Sequence, residues 1–141
     1  MSSAPSQTIE LTPAEAFAAI ALITVAADGI IASGESGALR TTLARMQLFN
    51  NYSADEKTKM LDKLLDQIKT HGCDVLLQSA TGKLPVELKE TVFAVATDIA
   101  LSDGELADEE ERILDSLYNS LGLSEEMATK IIDVMLIKNK G

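Results

Sequence analysis

The sequence is short of several things, and each shortage excludes something. There is one cysteine, Cys73, so no internal disulfide can form. A lone thiol fits a reducing compartment, and a cytoplasmic protein is expected. There is one histidine, His71, and no tryptophan. Aromatics make up only 4% of the chain, which predicts an aliphatic core and argues against a stacking pocket. Basic residues are outnumbered, with 12 Lys and Arg against 22 Asp and Glu, for a net charge of −10. Such a chain is repelled by phosphate backbones and anionic lipid surfaces, so nucleic acid is not an expected partner. The longest apolar stretch runs from Ala16 to Ala27. A bilayer needs roughly 20 such residues, so this stretch predicts a buried helix rather than a membrane insertion. Residues Met1 to Thr8 lack the basic and apolar regions of a secretory signal. No segment alternates with period two, so no strand is expected.

What is present is apolar content, at 46%, in a chain of 141 residues. That length suits one domain with its own core. Residues 1–10 read as a loose tail and 11–141 as a single helical domain. Caps and stops punctuate the domain. Thr12-Pro13-Ala14-Glu15 combines a capping box with proline at the first helical position. The helix that follows is apolar almost all round, which predicts a central place. It ends at Asp28-Gly29. Ser33 caps a second helix carrying Leu39, Leu43 and Met46. Ser53-Ala54-Asp55-Glu56 opens a third, with Met60, Leu61, Leu64, Leu65 and Ile68 inward and Gly72 as its stop. Asp74 to about Ala80 predicts a short fourth helix, and Gly82-Lys83-Leu84-Pro85 a linker. Pro85 opens a fifth helix ending at Asp103-Gly104. Asp108 caps a sixth, stopped by Gly122. Ser124 caps a seventh, with Met127, Ile131, Val134 and Met135 inward. The fold class is therefore all-α, with about seven helices.

The chain repeats itself. Placing Asp28 over Asp103 aligns Gly29 with Gly104, Ile31 with Leu106, Ser33 with Asp108, Glu35 with Glu110 and Leu39 with Leu114, without a gap. The match runs back through the apolar helices and forward to Leu48 over Leu123. Two halves, about 12–72 and 84–138, are thus expected around a pseudo-two-fold axis. Two copies fall short of the roughly three that a solenoid requires.

Each copy reads Asp-Gly-x-(Ile/Leu)-x-x-x-Glu, like the second half of an EF-hand loop. The first half of such a loop is missing. Its first ligand position falls on Thr24 and Ile99, its third on Ala26 and Leu101. An ordinary EF-hand is excluded. Asp28, Glu35, Asp103 and Glu110 remain as candidate ligands, joined by carbonyls at helix ends whose dipole favours a cation. These are hard oxygen donors, which favour Ca²⁺ or Mg²⁺ over Zn²⁺. The plain alternative is that Asp-Gly makes a turn and Glu stabilises the next helix's N-terminus. Spacing alone leaves both readings open.

The segments Ala-Asp-Gly-Ile-Ile-Ala-Ser-Gly-Glu and Ser-Asp-Gly-Glu-Leu-Ala-Asp-Glu-Glu, each after a long apolar helix, resemble the TerB family of tellurite-resistance proteins. The resemblance extends through His71-Gly72-Cys73-Asp74 and Leu84-Pro85. It implies a seven-helix cytoplasmic protein tied to tellurite resistance and stress responses. It further implies metal binding through Asp28, Glu35, Asp103 and Glu110, and action through protein partners, membrane-associated ones among them.

Other residues read more simply. His71 and Cys73 have no second His or Cys to complete a metal site and no base to make a nucleophile. Asp98 interrupts an apolar helix. It either faces solvent or is a buried acid bonded to a neighbouring helix, and it is a candidate extra ligand. Asp108 to Glu111 crowd four acids at a helix start, which capping and the helix dipole explain. From Asp98 to Glu126 the only basic residue is Arg112, so this stretch suits a cation or a basic partner. With no nucleophile–base pair and no phosphate-cradling glycine loop, the chain is expected not to be an enzyme. Two non-enzymatic roles remain: a metal-responsive module, or a structural adaptor whose Asp-Gly loops are only turns.

Overall fold

A computed structural model describes residues 10–26, 49–101, 108–138 and 140 of the chain. Among these are α1 (Pro13–Ala26), α2 (Ala54–His71), α3 (Cys73–Lys83), a 3₁₀ turn (Val86–Leu88), α4 (Lys89–Ala100), α5 (Asp108–Leu121) and α6 (Glu125–Lys138). No strand occurs among the described residues, and the fold is all-α. The helix expected after Ser33, with Leu39, Leu43 and Met46, lies outside the described residues, as does the tail through residue 9.

Helix α1 starts as its sequence dictates. The Thr12 hydroxyl accepts from the Glu15 N–H at 3.1 Å, and the Glu15 carboxylate accepts from the Thr12 N–H at 2.9 Å. Two otherwise orphaned donors are thereby satisfied. From Ala16 to Thr24 no residue is more than 1% exposed. This stretch is enclosed by α2, α3, α4 and α5. Its alanines at 16, 18, 19 and 21 leave room for neighbouring helices to come close, while Phe17, Ile20, Leu22 and Ile23 fill the space between. Burying each such large side chain stabilises the fold by roughly 1.5–3 kcal/mol.

The core is aliphatic with an aromatic corner. Phe17, Phe49 and Phe93 are the three phenylalanines, and all are buried. Phe17 meets Phe49 edge-on with ring centres 6.4 Å apart, and Phe49 meets Tyr52 the same way at 5.6 Å.

Helix α2 opens on the Ser53 capping box, with the Ser53 hydroxyl 3.1 Å from the Glu56 N–H. Met60, Leu61 and Leu64 are buried, with Leu65 and Ile68 packed beside them. Gly72, at φ 90°, turns the chain out of α2, and its N–H donates to the Ile68 carbonyl at 2.8 Å. A side chain here would be strained, which is why glycine stands at this position.

Four expectations need correction. Helix α3 runs through Gly82 to Lys83 rather than stopping near Ala80. Buried Leu76, Leu77, Ala80 and Leu84 hold that last turn, outweighing the roughly 1 kcal/mol that glycine costs in a helix. Pro85 does not open the next helix directly. A 3₁₀ turn intervenes, with the Leu88 N–H on the Pro85 carbonyl at 2.9 Å, and α4 begins at Lys89. In α6 the buried residue is Ala128, flanked by Ile131 and Ile132, while Val134 is 56% exposed. The helix turns the Ala128–Ile132 face inward because it rests on α4. The α6 start is as expected: the Ser124 hydroxyl accepts from the Met127 N–H at 3.1 Å. Asp108, expected as a cap, is the first helical residue of α5.

Candidate functional site

The repeat places α1 and α4 in equivalent positions, each leading into an Asp-Gly motif. Helix α1 ends at Ala26, two residues before Asp28, and α4 ends at Ala100, three before Asp103. The two helices pack against each other. Asp28, Glu35 and Asp103 lie outside the described residues, as does the side chain of Glu110, although its backbone belongs to the first turn of α5. Among the described residues no group of three or more His, Cys, Asp or Glu side chains converges as a metal site would require.

The described ends of the two helices bear directly on the EF-hand comparison. Thr24 offered the one side-chain oxygen at a first ligand position. Its hydroxyl is fully buried and donates to the Ile20 carbonyl at 3.0 Å, back along α1. Leu101, at the third position of the second copy, is 4% exposed and belongs to the core. Its N–H donates to the Thr97 carbonyl at 3.0 Å and closes the last turn of α4. These positions build helix and core.

Asp98, considered as an extra ligand or a buried acid, is neither free nor fully buried. Its side chain is 32% exposed, and its carboxylate meets the Lys138 ammonium at 3.2 Å. It ties the last turn of α6 to α4. Its partner lies 40 residues further along the chain.

The His71–Cys73 turn is the junction of α2 and α3. His71 is exposed at the C-terminus of α2, where a cationic group suits the helix dipole. Cys73 is half-buried. Burial, reinforced by the neighbouring Asp74 charge, pushes its thiol above the ordinary cysteine value. The thiolate needed for nucleophilic attack or metal ligation is therefore disfavoured.

At the start of α1, Glu15 bonds Thr12 and pairs with Lys63 of α2 at 3.0 Å. Burial alone would raise its carboxyl. The Thr12 N–H, the Lys63 ammonium and the Thr12 hydroxyl together outweigh that and bring it below the usual glutamate value.

The structure also holds a cleft that the sequence did not signal. Helices α5 and α6 follow each other in the chain and both rest on α4, yet they touch each other only sparingly. Between them lies a cleft of about 250 Å³ lined by Phe93, Leu114 and Tyr118, Ala128 and Ile132, with Asp115, Glu125 and Thr129. Among the described residues no helix is long and apolar enough to cross a membrane.

The sequence matches the family model described as "Tellurite resistance protein TerB" over residues 14–132. No curated protein and no solved structure matches it. The matched region begins within the first turn of α1 and ends within α6, so it reaches every described helix and spans both copies of the acidic motif. A match over this much of the chain establishes that it belongs to the TerB family of tellurite-resistance proteins.

Proposed function

We propose that this chain is a non-enzymatic cytoplasmic TerB protein of the tellurite and stress response. It takes a divalent cation through Asp28, Glu35, Asp103 and Glu110 and acts through protein partners, membrane-associated ones included. The observation that supports this most is the duplication. Two copies of the same acidic motif follow the two central helices, α1 and α4, which pack on one another. Each Asp follows a helix C-terminus, where the dipole favours positive charge. The backbone of Glu110 belongs to the first turn of α5. Carboxylates and helix-end carbonyls are hard donors, so Ca²⁺ or Mg²⁺ is the expected ion rather than Zn²⁺.

Thermal unfolding with and without Ca²⁺, Mg²⁺ and Zn²⁺ tests the reading. A cation present at a hundred times its dissociation constant adds about 2.7 kcal/mol of stability, which is on the order of 5 °C or more for a domain of this size. The rise should vanish in the Asp28→Asn, Asp103→Asn double variant. Melting that no cation shifts would leave the adaptor reading, in which the Asp-Gly loops are turns and only the partner remains.

A further inference from the structure

We propose that the cleft between α5 and α6 is a docking site for a basic amphipathic helix of a partner protein. One large apolar side chain of that helix would seat over Phe93, and Lys or Arg on its flanks would meet Asp115 and Glu125. None of the cleft's described lining residues belongs to the Asp-Gly motifs, and the site is argued without the cation reading.

Four observations identify the occupant. First, the floor is apolar and well anchored: Phe93, Leu114 and Ala128 are core residues that also face the cleft, with Tyr118 and Ile132 packed beside them. Second, the volume, about 250 Å³, is small for a metabolite site, which commonly measures about 300–1,000 Å³, and suits a single anchor side chain. Third, the charged residues lining it, Asp115 and Glu125, are both acidic. Around them the chain from Asp98 to Glu126 has one basic residue, Arg112, in a protein of net charge −10. A second copy of this chain would bring the same negative field to the cleft, whereas a cationic helix gains from it. Fourth, the cleft's wall continues along one face of α6. Glu125, Ala128, Thr129 and Ile132 follow the spacing of one helix face, and Leu136, 49% exposed, is the next member. A strip of that length matches an approaching helix better than a loop tip.

The probe is a synthetic, fluorescently labelled amphipathic peptide of about 18 residues, long enough to form a helix when bound. It carries Leu and Phe on one face and Lys on the flanks. Binding to the full-length protein is measured by anisotropy, and its location by backbone amide shifts in NMR. The proposal expects saturable binding, with shifts centred on Phe93, Leu114, Tyr118 and Ile132. Thr129→Trp, at an exposed position on the cleft wall, fills the cleft and should abolish binding. Asp115→Lys with Glu125→Lys should weaken it by at least about tenfold. Unchanged circular dichroism melting of these surface variants confirms that both remain folded. A peptide that binds wild type and both variants alike is reading diffuse negative charge and overturns the proposal. So does the absence of binding, or sedimentation showing that the protein self-associates through the cleft and that Thr129→Trp makes it monomeric.

Discussion

Helices α1 and α4 hold the same place in the two halves of the repeat, and they live in different surroundings. Every residue from Ala16 to Thr24 in α1 is buried, while α4 buries Val92, Phe93, Ala96, Thr97 and Ala100 and leaves Glu90 and Thr91 exposed. The difference traces to α3. This helix lies between the halves and packs chiefly on α1. Among the described elements α1 packs against four helices, whereas α4 packs against three and the 3₁₀ turn. Two helices of matched sequence thus differ in burial, and among the described elements α1 is the more enclosed. Its twin keeps a face for the surface, the Asp98–Lys138 pair and the wall of a cleft.

The aligned positions 75 residues apart allow the same substitution to be made on both sides of this comparison. The largest effect is expected where the twins differ most. Ile23 is fully buried in α1, and its counterpart is Asp98 in α4. Ile23→Asp places a carboxylate at a fully buried position. The loss should exceed about 4 kcal/mol, enough to unfold many domains of this size. Asp98→Ile removes a partly exposed ion pair and should change stability by no more than about 1 kcal/mol. Urea unfolding followed by circular dichroism measures both. Comparable losses would show that burial does not distinguish the helices.

A smaller effect is expected at Ala19 and its counterpart Ala94. Ala19 is fully buried among helices, while Ala94 is half-buried. Leucine at position 19 overpacks the centre and should cost about 1–3 kcal/mol. Leucine at position 94 has an outlet toward solvent and should cost less than about 0.5 kcal/mol. Should Ala94→Leu prove the worse of the two, α4 would be as tightly enclosed as its twin.

These contrasts separate what the sequence states from what only assembly decides. Caps and stops are local chemistry, so Thr12 with Glu15, Ser53 with Glu56, Ser124, Gly72 and Gly122 were all legible. The central place of α1 was legible because it is apolar on every face. The reach of α3 through Gly82 was not, since packing of Leu84 and Ala80 overrides glycine's weak local preference. Nor was the fate of Asp98, whose partner is set by how α6 lies on α4. The four motif acids were singled out from the repeat, and they lie beyond the described side chains. The cleft was invisible because its cause is the divergence of α5 from α6, which no periodicity within either helix encodes.

The finest contrast is at Glu15 and its counterpart Glu90. Both stand in the first turn of their helix, but Glu15 bonds Thr12 and pairs with Lys63, while Glu90 is exposed. Interactions that favour the charged form hold the Glu15 carboxyl below the usual glutamate value despite burial. A group depressed in the folded state releases its proton more readily there than in the unfolded chain. Its stabilisation is therefore full above the ordinary glutamate range near 4.5 and is lost as pH falls through the lower folded value. Lys63 is half exposed, so solvent screens the pair and the whole contribution is on the order of 1 kcal/mol or less. Glu15→Gln should lower stability at pH 7 by about that amount and leave it unchanged at pH 2, flattening the acid limb of the stability curve. Glu90→Gln, at an exposed position, should change stability at pH 7 by less than about 0.5 kcal/mol. Denaturant midpoints measured across that pH range decide the matter. If the two variants flatten the acid limb equally, the α1 start owes nothing to its contact with α2. If only Glu15 does, the enclosure that buries the centre of α1 also begins to act on its first turn.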